Sequence, residues 1–190
     1  MRRRTWFALG AIALLVIVPA VAWWLPGPRA AVPGTSASGQ TSSVRPRTPG
    51  LPDPRLTPGS INPNVTQANI ATTVCKSGWT ATVRPPAAYT NALKVAQILE
   101  YGYSDRRLAD YEEDHLVPLE LGGAPRDPNN LWPEPRVIAL EDGTMVGSDA
   151  KDGLENYLRR QVCAGSIPLA DAQRLIAGDW IAGWELAGRP

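Results

Sequence analysis

Apolar positions recur every three or four residues through the last quarter of the chain. From about Asp149 to Ala164, Leu154, Tyr157, Leu158 and Val162 fall on one side of a 3.6-residue period. That pattern predicts an amphipathic helix, which Gly165 can stop. From about Leu169 to Leu186, Ala172, Ile176, Trp180 and Trp184 make a second stripe, aromatic enough to belong to a core. Upstream the patterns are shorter. Residues 64–74 suit a helix, with Ile70 and Val74 four apart. SGWTATVRPP alternates and predicts a short strand ended by Pro85 and Pro86. Thr90 is the expected N-cap of a helix reaching about Glu100, with Ala92, Leu93, Ala96, Ile98 and Leu99 on its apolar side and Gly102 as its stop. HLVPLEL, residues 115–121, alternates in part and contains Pro118, which suits an edge strand or a bulged hairpin arm. Gly122, Gly123 and APRDPNN read as a turn-rich loop, and Leu131–Trp132 as the returning arm. Residues 135–147 show no clear period. The expected class is α+β: a small domain with a β-hairpin and packed helices.

The N-terminal quarter follows a different pattern. Arg2, Arg3 and Arg4 precede an uncharged apolar run of 20 residues, Trp6 to Leu25. At about 1.5 Å rise per residue such a run crosses a hydrocarbon core of roughly 30 Å. The arginines favour the cytoplasmic side, sending the rest of the chain outward. Ala20-Val21-Ala22 also matches a signal-peptidase site, so the two readings are an anchored domain and a secreted one. Residues 26–60 are rich in Pro, Gly, Ser and Thr and read as a linker too polar to order itself. The expected organisation is a signal-anchor at 1–25, a linker at 26–60 and an extracytoplasmic domain at 61–190.

Charge divides the same way. Residues 1–60 carry seven basic side chains against Asp53, whereas residues 61–190 carry 12 basic and 17 acidic ones. The domain is mildly acidic, which disfavours tight non-specific binding to nucleic acid unless basic groups gather locally. The two cysteines, Cys75 and Cys163, both lie in the exported part, where an even pair is read as a disulfide. With one histidine in the chain they fall short of the four ligands of a structural zinc site.

Candidate chemistry concentrates in YEEDHLVPLELGGAPRDPNNLWPEP, residues 111–135, which holds that histidine, His115, directly after Glu112, Glu113 and Asp114. Histidine is the side chain best poised to act as a base near neutral pH. A neighbouring carboxylate can hold Mg²⁺ or Mn²⁺, because hard cations prefer oxygen ligands. Base and cation together suit phosphodiester hydrolysis. Adjacent side chains of a strand point to opposite faces, so Asp114 and His115 converge on one phosphate only if the backbone bends there.

The motif Asp114-His115-Leu116-Val117-Pro118-Leu119, then Gly122-Gly123, then Asn130-Leu131 resembles the HNH, or ββα-metal, nuclease family over about 20 residues. The resemblance implies that Asp114 is a metal ligand, that His115 activates water and that Asn130 braces the hairpin loop. It also implies a Mg²⁺ or Mn²⁺ cofactor and nucleic acid as the partner. Two features depart from it. The family's second ligand falls some eight or nine residues after the brace, where this chain has Ile138 and Ala139, and no CxxC pair is present. A substitute from KDGLE, residues 151–155, makes Asp152 and Glu155 the candidate second ligands. The order GWTATVRPP, YTNALK, DHLVPLELGG, NLWPEP also looks like that of short exported bacterial proteins of unassigned role, which speaks for a common fold only.

Arg84, ahead of two prolines, is a candidate phosphate grip or an ion-pair partner for Glu120. Against the nuclease stands a non-catalytic envelope module that uses the hairpin to bind a cell-wall polymer or an envelope protein. A glycan hydrolase needs two carboxyls across a cleft, of which the sequence gives no sign, and a serine hydrolase lacks its G-x-S-x-G elbow.

Overall fold

Four α-helices and two short β-hairpins make up the main regular structure of residues 50–190, the residues that the computed structural model describes. The expected anchor and residues 26–49 of the expected linker lie outside the described residues. Among those described, no helix is long and apolar enough to cross a membrane.

In chain order the elements are a 3-10 helix at Gln67–Thr72, α1 (Trp79–Val83), α2 (Ala87–Glu100), β1 (Tyr111–His115), β2 (Leu131–Pro135), β3 (Ile138–Ala139), β4 (Met145–Val146), α3 (Ser148–Cys163) and α4 (Leu169–Leu186). β1 and β2 are antiparallel, with Asp114 opposite Trp132 and His115 opposite Leu131. β3 and β4 form a separate two-residue ladder. The class is mixed α and β, as the patterns predict, stapled by a Cys75–Cys163 disulfide that joins the region before α1 to the last residue of α3.

The two terminal helices carry the larger core. Leu154, Leu158 and Val162 of α3, four apart, pack with Ala172, Ile176 and Trp180 of α4, spaced the same way. α4 is not one continuous rod. Asp179 leaves helical geometry (φ −152°, ψ 93°), and its Oδ1 accepts the Ala182 N–H at 2.9 Å, so the second half starts from an aspartate cap. A smaller cluster of Tyr101, Leu116 and Trp132 ties α2 to the hairpin. Gln97 of α2 donates to the carbonyls of Leu131, at 2.8 Å, and Pro128.

Several local expectations are corrected. SGWTATVRPP forms no strand: residues 79–83 are α1, entered through Gly78 in the left-handed region and ended before Pro85-Pro86. Alternation over five residues is too short to choose a period, and no neighbouring strand offers these backbone groups a ladder. α2 begins at Ala87, three residues before Thr90, because Pro86 supplies the extended entry and the Thr90 hydroxyl donates back to the Ala87 carbonyl. β1 lies earlier than HLVPLEL. Pro118 cannot donate to a ladder, and Leu119–Leu121 make a 3-10 turn instead.

The linker also ends earlier than its composition suggests. Residues 50–60 pack on the domain, with Asp53 and Thr57 buried. The Gly50 carbonyl accepts the buried Trp180 indole N–H at 2.8 Å, and Tyr101 Oη meets Thr57 Oγ1 at 2.6 Å. Buried polar groups on the domain need partners, and this Pro-rich stretch provides them.

Candidate functional site

The loop between β1 and β2 is built around one amide. Asn130, fully buried, accepts the Val117 N–H at 2.9 Å and donates to the carbonyls of Val117 at 2.9 Å and Ala124 at 3.2 Å. Three backbone groups of a buried turn are thereby satisfied by one side chain. The two glycines are required by geometry. Gly122 adopts φ +77°, and a Cβ at Gly123 would lie 1.7 Å from the Val117 carbonyl oxygen. Asn129 faces outward and bonds Asp127, so it does not share the bracing.

His115, 5% exposed, closes this loop from the strand side. Its Nε2 lies 3.0 Å from the Pro125 carbonyl oxygen. A carbonyl only accepts, so Nε2 carries the proton and the neutral ring has its lone pair on Nδ1. Burial lowers the imidazole pKa below its usual value, outweighing the upward pull of the Pro125 carbonyl and of Asp114. The ring is therefore neutral at pH 7 with an unprotonated nitrogen.

His115 lines a cleft of about 290 Å³ with Arg84, Lys94, Glu112, Glu113 and Arg136. Arg84 arrives from the end of α1, Lys94 from α2 and Arg136 from the end of β2. Arg136 pairs with Glu112 at 2.9 Å, and the Lys94 ammonium bonds the Leu108 and Tyr111 carbonyls. Among the described residues Arg84 forms no ion pair with a carboxylate, and Glu120 forms none with Arg84. Glu113 sits in the wall of the cleft with both carboxylate oxygens buried and without a hydrogen bond. Burial pushes its pKa up to about 8, against the pull of Lys94. Although residues 61–190 are acidic, three basic groups thus gather around the one histidine.

Asp114 points elsewhere, as strand alternation requires. Its Oδ2 lies 2.5 Å from Nζ of Lys151, from the first turn of α3. The same ammonium donates to the His115 carbonyl at 3.0 Å and to Glu155 Oε1. Lys151 is fully buried. Glu134 of β2, also buried, is the third carboxyl of the group. One ammonium cannot neutralise three carboxylates, and the pKa shifts divide accordingly. Burial alone would raise Asp114, but Lys151 holds it below the usual carboxylate range. Burial raises Glu134 and Glu155 more than Lys151 lowers them. Burial opposes the charged form of Lys151, yet Asp114, Glu155 and Glu134 together raise its pKa, so it stays cationic.

The residues expected to act together are therefore distributed. His115, Asn130 and Arg84 meet around the loop and cleft. Asp114 and Glu155 meet each other, but across the Lys151 ammonium, and Asp152 is exposed. Among the described residues no cluster of three or more His, Cys, Asp or Glu side chains is arranged to hold a metal ion. An ion at Asp114 and Glu155 would need the oxygens that Lys151 takes, so this set does not fit a divalent cation while that ammonium is present. Lys151 and Glu134 went unassigned in the sequence, although Lys151 carries a signal. It lies three and seven residues before Leu154 and Leu158, a charge on the buried stripe of α3.

No family model, no curated protein and no solved structure matches this chain.

Proposed function

We propose that residues 61–190 form an HNH-like, extracytoplasmic phosphodiester-cleaving module that takes nucleic acid into the cleft of Arg84, Lys94 and Arg136 and uses His115 as its base. The observation that carries this is the tautomer. Nε2–H donates to the Pro125 carbonyl, leaving Nδ1 of a neutral ring free to accept a proton, and His115 lines the cleft together with three basic side chains. In the step envisaged, Nδ1 takes a proton from water as its oxygen bonds to phosphorus, and the ester P–O bond breaks with its electron pair leaving on the sugar oxygen, which takes a proton from solvent water. Arg84, which has no carboxylate partner among the described residues, neutralises a non-bridging phosphoryl oxygen. The motif Asp114-His115…Gly122-Gly123…Asn130-Leu131 supports the family reading, and the N-terminal apolar run supports export. No step is assigned to a metal at Asp114, whose carboxylate Lys151 engages.

The test uses the full chain in detergent with labelled single- and double-stranded DNA and RNA, in EDTA, Mg²⁺ or Mn²⁺. Cleavage that falls at least about 100-fold in His115→Ala is expected, the usual contribution of a general base. Turnover equal in wild type and His115→Ala, or none on any polymer, overturns the proposal. The engagement of Asp114 by Lys151 favours a second reading, a non-catalytic module binding a polyanionic envelope partner. It expects binding that Arg84→Ala weakens and no product under any condition.

A further inference from the structure

β1 brings two titratable side chains to one side of the cleft. Glu113 and His115 are two apart on the strand, so they share a face and stand about 7 Å apart along it. Both line the cleft. His115 has its hydrogen bond to the Pro125 carbonyl. Glu113 has none: both carboxylate oxygens are buried and neither meets a donor. Taking an ionised carboxylate out of water without any donor is costly, so this setting favours the neutral acid. A pKa pushed up to about 8 agrees with that burial. Glu112, the other carboxyl of the cleft, is engaged by Arg136 as an ion pair at 2.9 Å. Glu113 is thus a carboxyl with a proton to give, and no hydrogen bond has to break for its outer side-chain bonds to turn toward a ligand.

An in-line displacement puts the attacking and leaving oxygens on opposite sides of phosphorus. A base and an acid serve one phosphate only when they flank it, as two residues on one strand face do. We propose that Glu113 is the general acid of the cleft, handing the departing sugar oxygen its proton ahead of solvent water while His115 takes one from the attacking water. The inference rests on the phosphodiester-cleaving reading of the cleft. As the P–O bond breaks, its electron pair forms the new sugar O–H bond, and the pair of the Glu113 O–H bond stays on the carboxylate. Lys94 of α2, whose charge already pulls on Glu113, stabilises that carboxylate. The imidazolium then loses its proton to solvent and the carboxylate regains one. The charged and titratable groups around Glu113 are Lys94, Arg84, Arg136 and, on β1 itself, Glu112, Asp114 and His115. The rate should rise as His115 loses its proton, below the ordinary histidine value, and fall above about pH 8 as Glu113 ionises.

The experiment uses the full chain in detergent, in whichever of EDTA, Mg²⁺ or Mn²⁺ supports cleavage. The substrates are an oligonucleotide and its counterparts with the 3′ or the 5′ bridging oxygen replaced by sulfur, because a thiolate leaves without a proton. Glu113→Gln, the size of the neutral acid, should slow the oxygen substrate at least about 100-fold at pH 7 and be restored to near wild-type rate by sulfur at the leaving position. His115→Ala should slow both. Equal slowing of both substrates by Glu113→Gln, the mark of a merely structural role, overturns the proposal, and so does wild-type speed on the oxygen substrate. Should Glu113→Gln fail to fold, the wild type decides: a rate that falls above about pH 8 on oxygen but not on sulfur supports the proposal, and a fall on both or on neither overturns it. Wild type that cleaves neither substrate, or His115→Ala that cleaves as fast as wild type, overturns the nuclease reading itself and this inference with it.

Discussion

Replacing Asn130 with alanine tests how far the loop that carries the base depends on one side chain. The substitution removes three hydrogen bonds and leaves the Val117 N–H, the Val117 carbonyl and the Ala124 carbonyl unpaired in a buried turn. Each orphaned group costs about 1–3 kcal/mol when water cannot reach it. Relaxation makes the three less than additive, so the expected loss is about 3–5 kcal/mol. That is a large part of the roughly 5–15 kcal/mol that stabilises a domain. The effect should reach His115, because Pro125, whose carbonyl holds Nε2, directly follows Ala124. A looser loop hydrates the ring. Burial is the largest influence lowering its pKa, so that pKa should move up toward the ordinary histidine value even though the Pro125 contact weakens. Urea unfolding followed by tryptophan fluorescence gives the first quantity, and NMR titration of the chain's one histidine gives the second. Asn130→Asp is the control, keeping the acceptor for the Val117 N–H and losing both donations. A loss under about 1 kcal/mol in Asn130→Ala, with an unmoved histidine titration, would refute the argument.

Two further outcomes follow from the buried groups. Cys75 and Cys163 are 88 residues apart in sequence, so in the chain-entropy picture their disulfide restricts the unfolded chain by about 4–5 kcal/mol. A Cys75→Ala/Cys163→Ala variant should lose an amount of that order in urea unfolding, and a loss under about 1 kcal/mol would contradict it. Glu113 has a folded-state pKa of about 8 against an ordinary 4.5, so the folded chain binds the proton more tightly than the unfolded chain. Its contribution to stability is complete below about pH 4.5 and is lost as pH rises through about 8. Allowing for partial exposure, this is about 2–3 kcal/mol between those limits. Glu113→Gln should remove that part of the pH slope, and a difference curve flat across pH 5–8 would show that Glu113 does not carry it.

How much was legible from the chain alone can be followed residue by residue. The periods of Leu154, Leu158 and Val162 and of Ala172, Ile176 and Trp180 placed α3 and α4 to within a residue or two, because long amphipathic patterns repeat often enough to exclude other periods. Residues 79–83 had too few repeats, and the alternation that predicts a strand there belongs to a helical turn. The composition of residues 50–60 speaks for disorder, yet those residues pack because Trp180 and Tyr101 need polar partners that lie far away in sequence.

The local chemistry of the hairpin was written in its residues. A glycine pair where no Cβ fits, an asparagine seven residues later and a histidine at a strand end are short-range facts of backbone geometry. What surrounds Asp114 was decided only by the tertiary structure. Lys151 lies 37 residues further along the chain, and nothing local says that the first turn of α3 will dock its ammonium between β1 and Glu155. The physical reason is that a strand sends neighbouring side chains to opposite faces. His115 therefore meets the cleft while Asp114 meets whichever element packs behind it, and that element is chosen by the core that α3 and α4 bury together.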